Sequence, residues 1–393
     1  MGPERTSWPA VLGAVGAGVV AAFQVGKAPI ALPFLRDEMG LDLSQAAWVL
    51  SLFAVMGAAV GAGMGTLVTR VGSRRLLPIG LLVMALGSLT GGLAPEFATL
   101  LASRVVEGIG YMLVVISAPA LITLMTTPAQ RQMAFGLWGA FMPFGMAVSM
   151  TAAPALPLLG WRGLWLGMAA LLLLYAALVH LRMPRPQRPP GVGEVRLLRD
   201  VGDTLRARGP LLLAATFVPY SAAYAALTGF LPTLLIERMG VPPGTAGVMT
   251  ALVTACNIIG NVASGPALRL GLPRRKIMAA AFAVMAVGCS GIFLPGTPPG
   301  LAYGLCLIVT TCAGLLPGCI LGSASVYAPR PILVPVTLGL FMQGSNWGLL
   351  LGPVVVGAAV SAWGWTSASV VLGAATLGGG AMALALRRAG KEP

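Results

Sequence analysis

The sequence predicts an all-α integral membrane protein whose twelve transmembrane helices form two pseudo-symmetric six-helix bundles. Three observations carry this. The chain is 57% hydrophobic and 9% charged, against roughly 25% charged in soluble domains, and its mean hydropathy is +0.88. Twelve apolar stretches are each long enough to cross a hydrocarbon core of ~30 Å at 1.5 Å per residue. One long polar interruption divides six of them from the other six, and the halves echo each other at an offset near 200 residues. Alternating strand patterns are absent, so helices rather than a barrel satisfy the backbone.

The first bundle, residues 1–182, holds spans at 9–35, 45–68, 76–94, 98–125, 132–158 and 163–182. The first run is long and lacks a small-residue cleavage region, so it reads as a spanning helix rather than a signal peptide. Gly57, Gly61 and Gly65 recur at one-turn spacing on the second span and suggest a packing seam. The fourth carries Arg104 and Glu107, the fifth runs Gly136-Leu137-Trp138-Gly139 to Gly145, and the sixth has His180 at its inner end, where snorkelling explains an imidazole. Residues 183–209 form the polar linker, opening on Pro184-Arg185-Pro186-Gln187-Arg188-Pro189-Pro190. Within it Val195, Leu198, Val201 and Leu205 recur at helical spacing, which fits a short amphipathic helix on the inner leaflet or a solvated loop.

The second bundle, residues 210–393, holds spans at 210–235, 245–268, 277–295, 300–327, 333–360 and 366–386. Leu32-Pro33 with Met39-Gly40 recurs as Leu231-Pro232 with Met239-Gly240, Gly65 with Arg74-Arg75 as Gly265 with Arg274-Arg275, and Gly160-Trp161 as Gly364-Trp365. Cys256, Cys289, Cys306, Cys312 and Cys319 all fall inside apolar segments without metal spacing and read as small core residues.

A net charge of +14 would suggest nucleic acid in a soluble protein, but its placement excludes that reading. With the N-terminus taken as cytoplasmic, 20 of the 25 Lys and Arg lie on the inner side, three (Arg36, Arg162, Arg238) lie outside, and two lie within spans. This asymmetry predicts a multi-pass inner-membrane protein with both termini cytoplasmic, its basic excess meeting anionic lipid.

Lys27 and Arg104 are the two cations within spans, and Glu107 is the one carboxylate. A charge at the bilayer centre costs about 2.5–3.5 kcal/mol, so such residues are functional candidates. Two positive charges against one negative invite an anionic ligand. Lys27 has Gln24 three residues earlier on its face and no carboxylate near it on its own helix, so it is expected to make the decisive contact with that anion. Arg104 and Glu107, three residues apart, can pair, either as a static pair or with Glu107 carrying a proton. Trp138, Tyr220 with Tyr224, Asn257 with Asn261, and Gln343 with Asn346 complete the expected substrate site, with interhelical glue as the other reading of the amides. Met342-Gln343-Gly344-Ser345-Asn346-Trp347-Gly348 suggests a discontinuous helix lining a cavity.

The turn Gly65-Thr66-Leu67-Val68-Thr69-Arg70-Val71-Gly72-Ser73-Arg74-Arg75 resembles the signature loop of the major facilitator superfamily, with Thr69 where the family usually has an acid. Arg104-Val105-Val106-Glu107-Gly108 is similar to the superfamily's second motif, and Gly136 to Gly145 partly resembles its antiporter motif without the Gly-Pro pair. The likeness covers essentially the whole chain and is nearest the cyanate and nitroimidazole transporter branch. It implies a gradient-driven transporter working by alternating access. In that frame Gly65, Thr69, Arg70, Gly72, Arg74 and Arg75 govern gating, and Arg104 holds substrate or tunes the proton site at Glu107.

The expectation is therefore a secondary transporter of a small organic or inorganic anion, proton-coupled and working as a monomer, with no cofactor, metal or catalytic site. A proton-driven multidrug exporter is the alternative within the class. A membrane sensor or receptor and a gated channel are the alternatives outside it.

Overall fold

The computed structural model describes residues 6–61, 71–183, 197–330 and 333–386. Its first helix, α1 (Trp8–Met39), starts with Pro9 in its first turn and stops at Gly40, whose φ of 64° is the left-handed conformation only glycine adopts without strain. Thirty-two residues span ~48 Å, more than the hydrocarbon core needs. After it come α2 (Leu43–Ser51), a 3-10 turn at Leu52–Ala54 and α3 (Val55–Val60). An Asp42–Gln45 capping box opens α2, with Gln45 N donating to Asp42 Oδ1 at 2.7 Å and Asp42 N to Gln45 Oε1 at 3.1 Å. Then follow α4 (Ser73–Gly92), α5 (Phe97–Met125), α6 (Pro128–Gly139), α7 (Phe141–Met150) and α8 (Leu156–Arg182). The run Ala129–Arg182 is 54 residues of apolar, mostly helical chain, and Gly160 at φ 64°, ψ 168° divides it into two crossings.

A linker helix, α9 (Leu197–Arg206), leads into the second half: α10 (Arg208–Met239), α11 (Pro243–Arg269), α12 (Arg274–Phe293), α13 (Pro299–Ala313), α14 (Leu315–Leu321), α15 (Ala324–Tyr327), α16 (Val334–Trp363) and α17 (Thr366–Ala385). The repeat is visible in the backbone. Like α1, α10 is 32 residues long, carries two prolines beyond its first turn and ends on a left-handed glycine, Gly240 at φ 65°. Eleven runs among the described residues are long and apolar enough to cross a membrane, and the break at Gly160 makes twelve crossings. The molecule is a multi-pass membrane protein.

One expectation is reversed. Helix α16 is continuous from Val334 to Trp363 rather than interrupted near Gly344. Its small residues serve close packing: a Cβ at Gly344, Gly348 or Gly352 would strike the carbonyl of Ala214, Val218 or Ala222 on α10. The discontinuous helices are instead the second span, broken at Leu52–Ala54, the fifth, broken between Gly139 and Phe141, and the tenth, broken at Gly314.

Helices α1, α4, α5 and α8 pack together in the first half, and α10, α12, α16 and α17 in the second. The halves meet where α2 and α3 lie on α16, α7 lies on α11, and α1 lies on α10. At the end away from the termini, Arg36 Nη1 reaches Glu237 Oε1 at 2.6 Å and Ser44 N donates to Ser361 Oγ at 3.1 Å. Nearer the termini, α6 packs on α1, α5 and α7 of its own half. The linker helix covers the segment expected to be amphipathic, save Val195, which lies outside the described residues. Asp203 Oδ2 holds it to Arg330 Nη2 at 2.9 Å.

Candidate functional site

Four helices bring the interior charges to one place. Glu107 on α5 lies between Lys27 of α1 and its own helix neighbour Arg104. Lys27 Nζ donates to Glu107 Oε1 at 2.6 Å, while Arg104 Nη1 donates to Glu107 Oε2. All three side chains are fully buried. Lys27 Nζ also donates to Gln24 Oε1 and to Ser88 Oγ on α4, both at 2.6 Å, and Ser88 Oγ donates to Gln24 Oε1 at 3.0 Å. From α8, the Trp165 ring lies under the ammonium, 4.3 Å from its centroid. Arg104 completes its shell on backbone, with Nε on Val49 O at 2.9 Å and Nη1 on Gln24 O at 3.0 Å. Burial without partners would cost each ion several kcal/mol, which explains why every charge here is paired and hydrogen-bonded.

The network gives Lys27 both a counter-charge and a place in the fold. Its charge is not left without a counter-ion, because Glu107, eighty residues away in sequence, meets it. Nor does Lys27 line a space between the bundles: its partners Gln24, Ser88, Glu107 and Trp165 all belong to the first half. The excess of one positive charge persists, and Arg104 Nη2, Gln24 Nε2 and Trp165 Nε1 are buried N–H donors without a partner.

A cavity of about 30 Å³ lies between the halves, at the level of the helix break in the second span. Leu50, Phe53, Met142, Met146, Tyr224 and Thr228 are among its walls, and no charged residue is. Phe53 touches both this cavity and the charges: it is one of the lining residues, and the Arg104 guanidinium lies 4.8 Å from its ring centroid. Tyr111 holds the ring at 4.9 Å, tilted 57°. Gly108 leaves room for the turn, as a Cβ there would strike the Phe53 carbonyl.

Of the other residues expected to hold substrate, only Tyr224 lines this cavity. Tyr220 stacks on it with centroids 5.9 Å apart and rings 15° from parallel. The Tyr220 hydroxyl meets Asn257, which accepts from Asn261 Nδ2 at 2.8 Å and donates to Thr310 O at 3.1 Å. The asparagines thus tie α11 to α13 rather than presenting free donors. Gln343 Nε2 donates across the seam to Ala58 O at 2.8 Å, and Asn346 donates to Met342 O at 2.7 Å with its amide against Gly57. Both lie on the joint between α3 and α16. Trp138 stacks on Phe141 at 4.1 Å and packs over Gly18 within the first half.

Of the expected gating residues, Gly65, Thr69 and Arg70 lie outside the described residues. Gly72 turns the chain at φ 90°, and Arg74 Nε reaches Met183 O at 3.2 Å, fastening the start of α4 to the end of α8. Sequence reasoning passed over Ser88, Trp165 and Phe53. Ser88, a hydroxyl inside an apolar span, was the one with a signal; nothing in the sequence sets Phe53 or Trp165 apart from other core aromatics.

Comparison with known proteins places this architecture. The family model described as Major Facilitator Superfamily matches residues 14–332. The chain is 29% identical over 388 residues to monocarboxylate transporter 3 of Rattus norvegicus, covering 92% of this chain and 76% of that one. It is 29% identical over 323 residues to the cyanate transport protein CynX of Escherichia coli (strain K12), covering 80% and 79%. It is 28% identical over 299 residues to the puromycin resistance protein pur8 of Streptomyces alboniger, covering 75% of this chain and 56% of that one. In fold it resembles the crystal structure of a bacterial homolog of the human lysosomal transporter Spinster in an inward-facing, occupied conformation, with a TM-score of 0.73 at 18% identity over 99% of this chain and 96% of that one. The chain belongs to the Major Facilitator Superfamily, and it is a membrane transporter rather than an enzyme.

Proposed function

We propose that this transporter moves a small anion together with protons, by rocking of bundles 1–182 and 210–393 about the 183–209 linker, as a monomer in the cytoplasmic membrane with both termini inside. One observation carries the reading: a single buried carboxylate, Glu107, is shared by two buried cations, Lys27 and Arg104. While Glu107 is ionised, it occupies both. When it takes up a proton, the cations lose their common counter-charge, and an anion in the neighbouring cavity becomes the group that compensates them. Proton and anion then favour each other's binding, which is the linkage a symporter requires. The names of two relatives, the cyanate and monocarboxylate transporters, are consistent with anionic cargo.

Drug export is the second reading, favoured by the apolar cavity walls and the puromycin resistance relative. It is the weaker one, because a cationic drug needs an acid and the buried acid is already held by two cations.

The test is transport in proteoliposomes. Glu107→Gln keeps exchange of preloaded anion but loses its response to a proton gradient, and Lys27→Ala, which removes the excess cation, loses anion binding. Gradient-driven accumulation that survives unchanged in Glu107→Gln refutes the coupling role. Orientation is checked separately: a cysteine at Gly191 resists an impermeant thiol reagent in intact cells, whereas one at Asp42 reacts.

A further inference from the structure

Resting on the anion reading, we infer that the substrate is a monocarboxylate with an apolar body rather than an inorganic anion. Leu50, Met142, Met146 and Phe53 are among the residues lining the cavity between the halves, and their side chains offer an inorganic anion no hydrogen bond. Two methionines make the wall adaptable, since an unbranched thioether repacks around bodies of different shape. At about 30 Å³ the cavity holds little more than a water as it stands, so a ligand enters as the bundles part and the methionines move.

The polar end is equally specific. Thr228 spends its hydroxyl on Tyr224 O at 2.7 Å, whereas the Tyr224 hydroxyl is buried and has no partner. Tyr224 is 6% exposed and is held in place by its stack on Tyr220, itself tied through Asn257 to α13. A carboxylate accepting from that hydroxyl satisfies an otherwise orphaned buried donor. The uncompensated positive charge behind the Phe53 ring supplies the attraction for its negative charge. One donor, one apolar wall and a field set back from the surface describe a fatty or aromatic acid better than a fully hydrated nitrate or cyanate.

Calorimetric titration of purified protein with straight-chain carboxylates from acetate to hexanoate, and with nitrate and cyanate, tests this. Affinity rises about fourfold per added methylene until the cavity is full, at ~0.8 kcal/mol per buried methylene. Tyr224→Phe weakens pentanoate roughly tenfold or more, as loss of a hydrogen bond to a charged group does. Met146→Gln, which puts an amide into the wall, flattens the series. A flat series in the native protein, nitrate or cyanate binding as tightly as pentanoate, or unchanged pentanoate affinity in Tyr224→Phe overturns the substrate class and leaves the anion reading standing. A slope that persists in Met146→Gln also overturns it, because such a slope comes from detergent. Binding of a lipophilic cation with no binding of any anion removes the anion reading itself. Should Tyr224→Phe not fold, the series in the native protein and in Met146→Gln decides alone.

Discussion

The three buried charges are not equivalent, and their imbalance fixes an order of stability that can be measured. Lys27→Met removes the excess cation and leaves a neutral Arg104–Glu107 pair. Arg104 keeps its bonds to Val49 O at 2.9 Å and Gln24 O at 3.0 Å, and Ser88 keeps Gln24 Oε1 at 3.0 Å. The ammonium's bonds to Glu107 Oε1, Gln24 Oε1 and Ser88 Oγ and its contact with the Trp165 ring are lost; the bond between charged groups weighs most, about 1–3 kcal/mol, and methionine refills most of the lysine volume. Glu107→Leu instead strands two cations in a site where both are fully buried. Removing one partner of a buried ion pair costs about 3–5 kcal/mol, and here the removed partner serves two ions, so the upper end applies. The expected gap is about 2–4 kcal/mol, with Lys27→Met the more stable. Reversible unfolding in mixed micelles of rising dodecyl sulfate content reads it, followed by tryptophan fluorescence, since Trp165 lies 4.3 Å from the ammonium. If Lys27→Met is as unstable as Glu107→Leu, Lys27 is not the surplus charge and the coupling scheme built on it fails.

Three further outcomes follow from particular contacts. Gly108→Ala forces a Cβ against the Phe53 carbonyl and costs about 1–3 kcal/mol with weakened anion binding, whereas Gly136→Ala, with nothing within 4 Å, is neutral or slightly stabilising; equal melting temperatures for the two refute the close approach. Glu237→Gln breaks the Arg36 pair, whose side chains are 25% and 40% exposed, so it changes stability by less than about 1 kcal/mol. It should nonetheless speed thiol labelling of a cysteine at Ser361, and an unchanged labelling rate means the pair does not hold the bundles together. Gly348→Val drives α16 from α10 at Val218 and lowers the melting temperature sharply; a native melting curve shows that the seam is not tight.

Much of the fold was written in composition and punctuation. Apolar runs named the crossings, and Met39-Gly40 with Met239-Gly240 marked matching left-handed helix ends at φ 64° and 65°. Local pairing was legible as well, since Arg104 and Glu107 sit three residues apart on one helix. The meeting of Lys27 with Glu107 was not, because helix rotation in a bundle depends on packing against several neighbours at once. The break at Leu52-Phe53-Ala54 contains neither glycine nor proline, the usual marks of interruption. Conversely, Gly344, Ser345 and Asn346 in α16 looked like an unwound segment, because small residues serve both unwinding and close approach. Only the facing carbonyls of α10 distinguish the two.

The break in the second span joins the charges to the cavity. The end of α2 just before it gives Val49 O to Arg104 Nε, Phe53 within it lines the cavity and carries the guanidinium over its ring, and the Phe53 carbonyl rests on Gly108, next to Glu107. Arg104 therefore cannot shift toward or away from Glu107 without pulling on the cavity wall. The adjoining α3 presents Ala58 O to Gln343 of the other half at 2.8 Å, so the same short segment also reaches the joint between the bundles. In the proposed function, a proton on Glu107 would weaken the hold on Arg104 and an anion in the cavity would draw Arg104 the other way, and both would act on Leu52–Ala54. Coupling of the proposed kind would need no contact between proton and substrate. It would need a helix already broken at the point where the buried charges, the cavity wall and the seam between the halves converge.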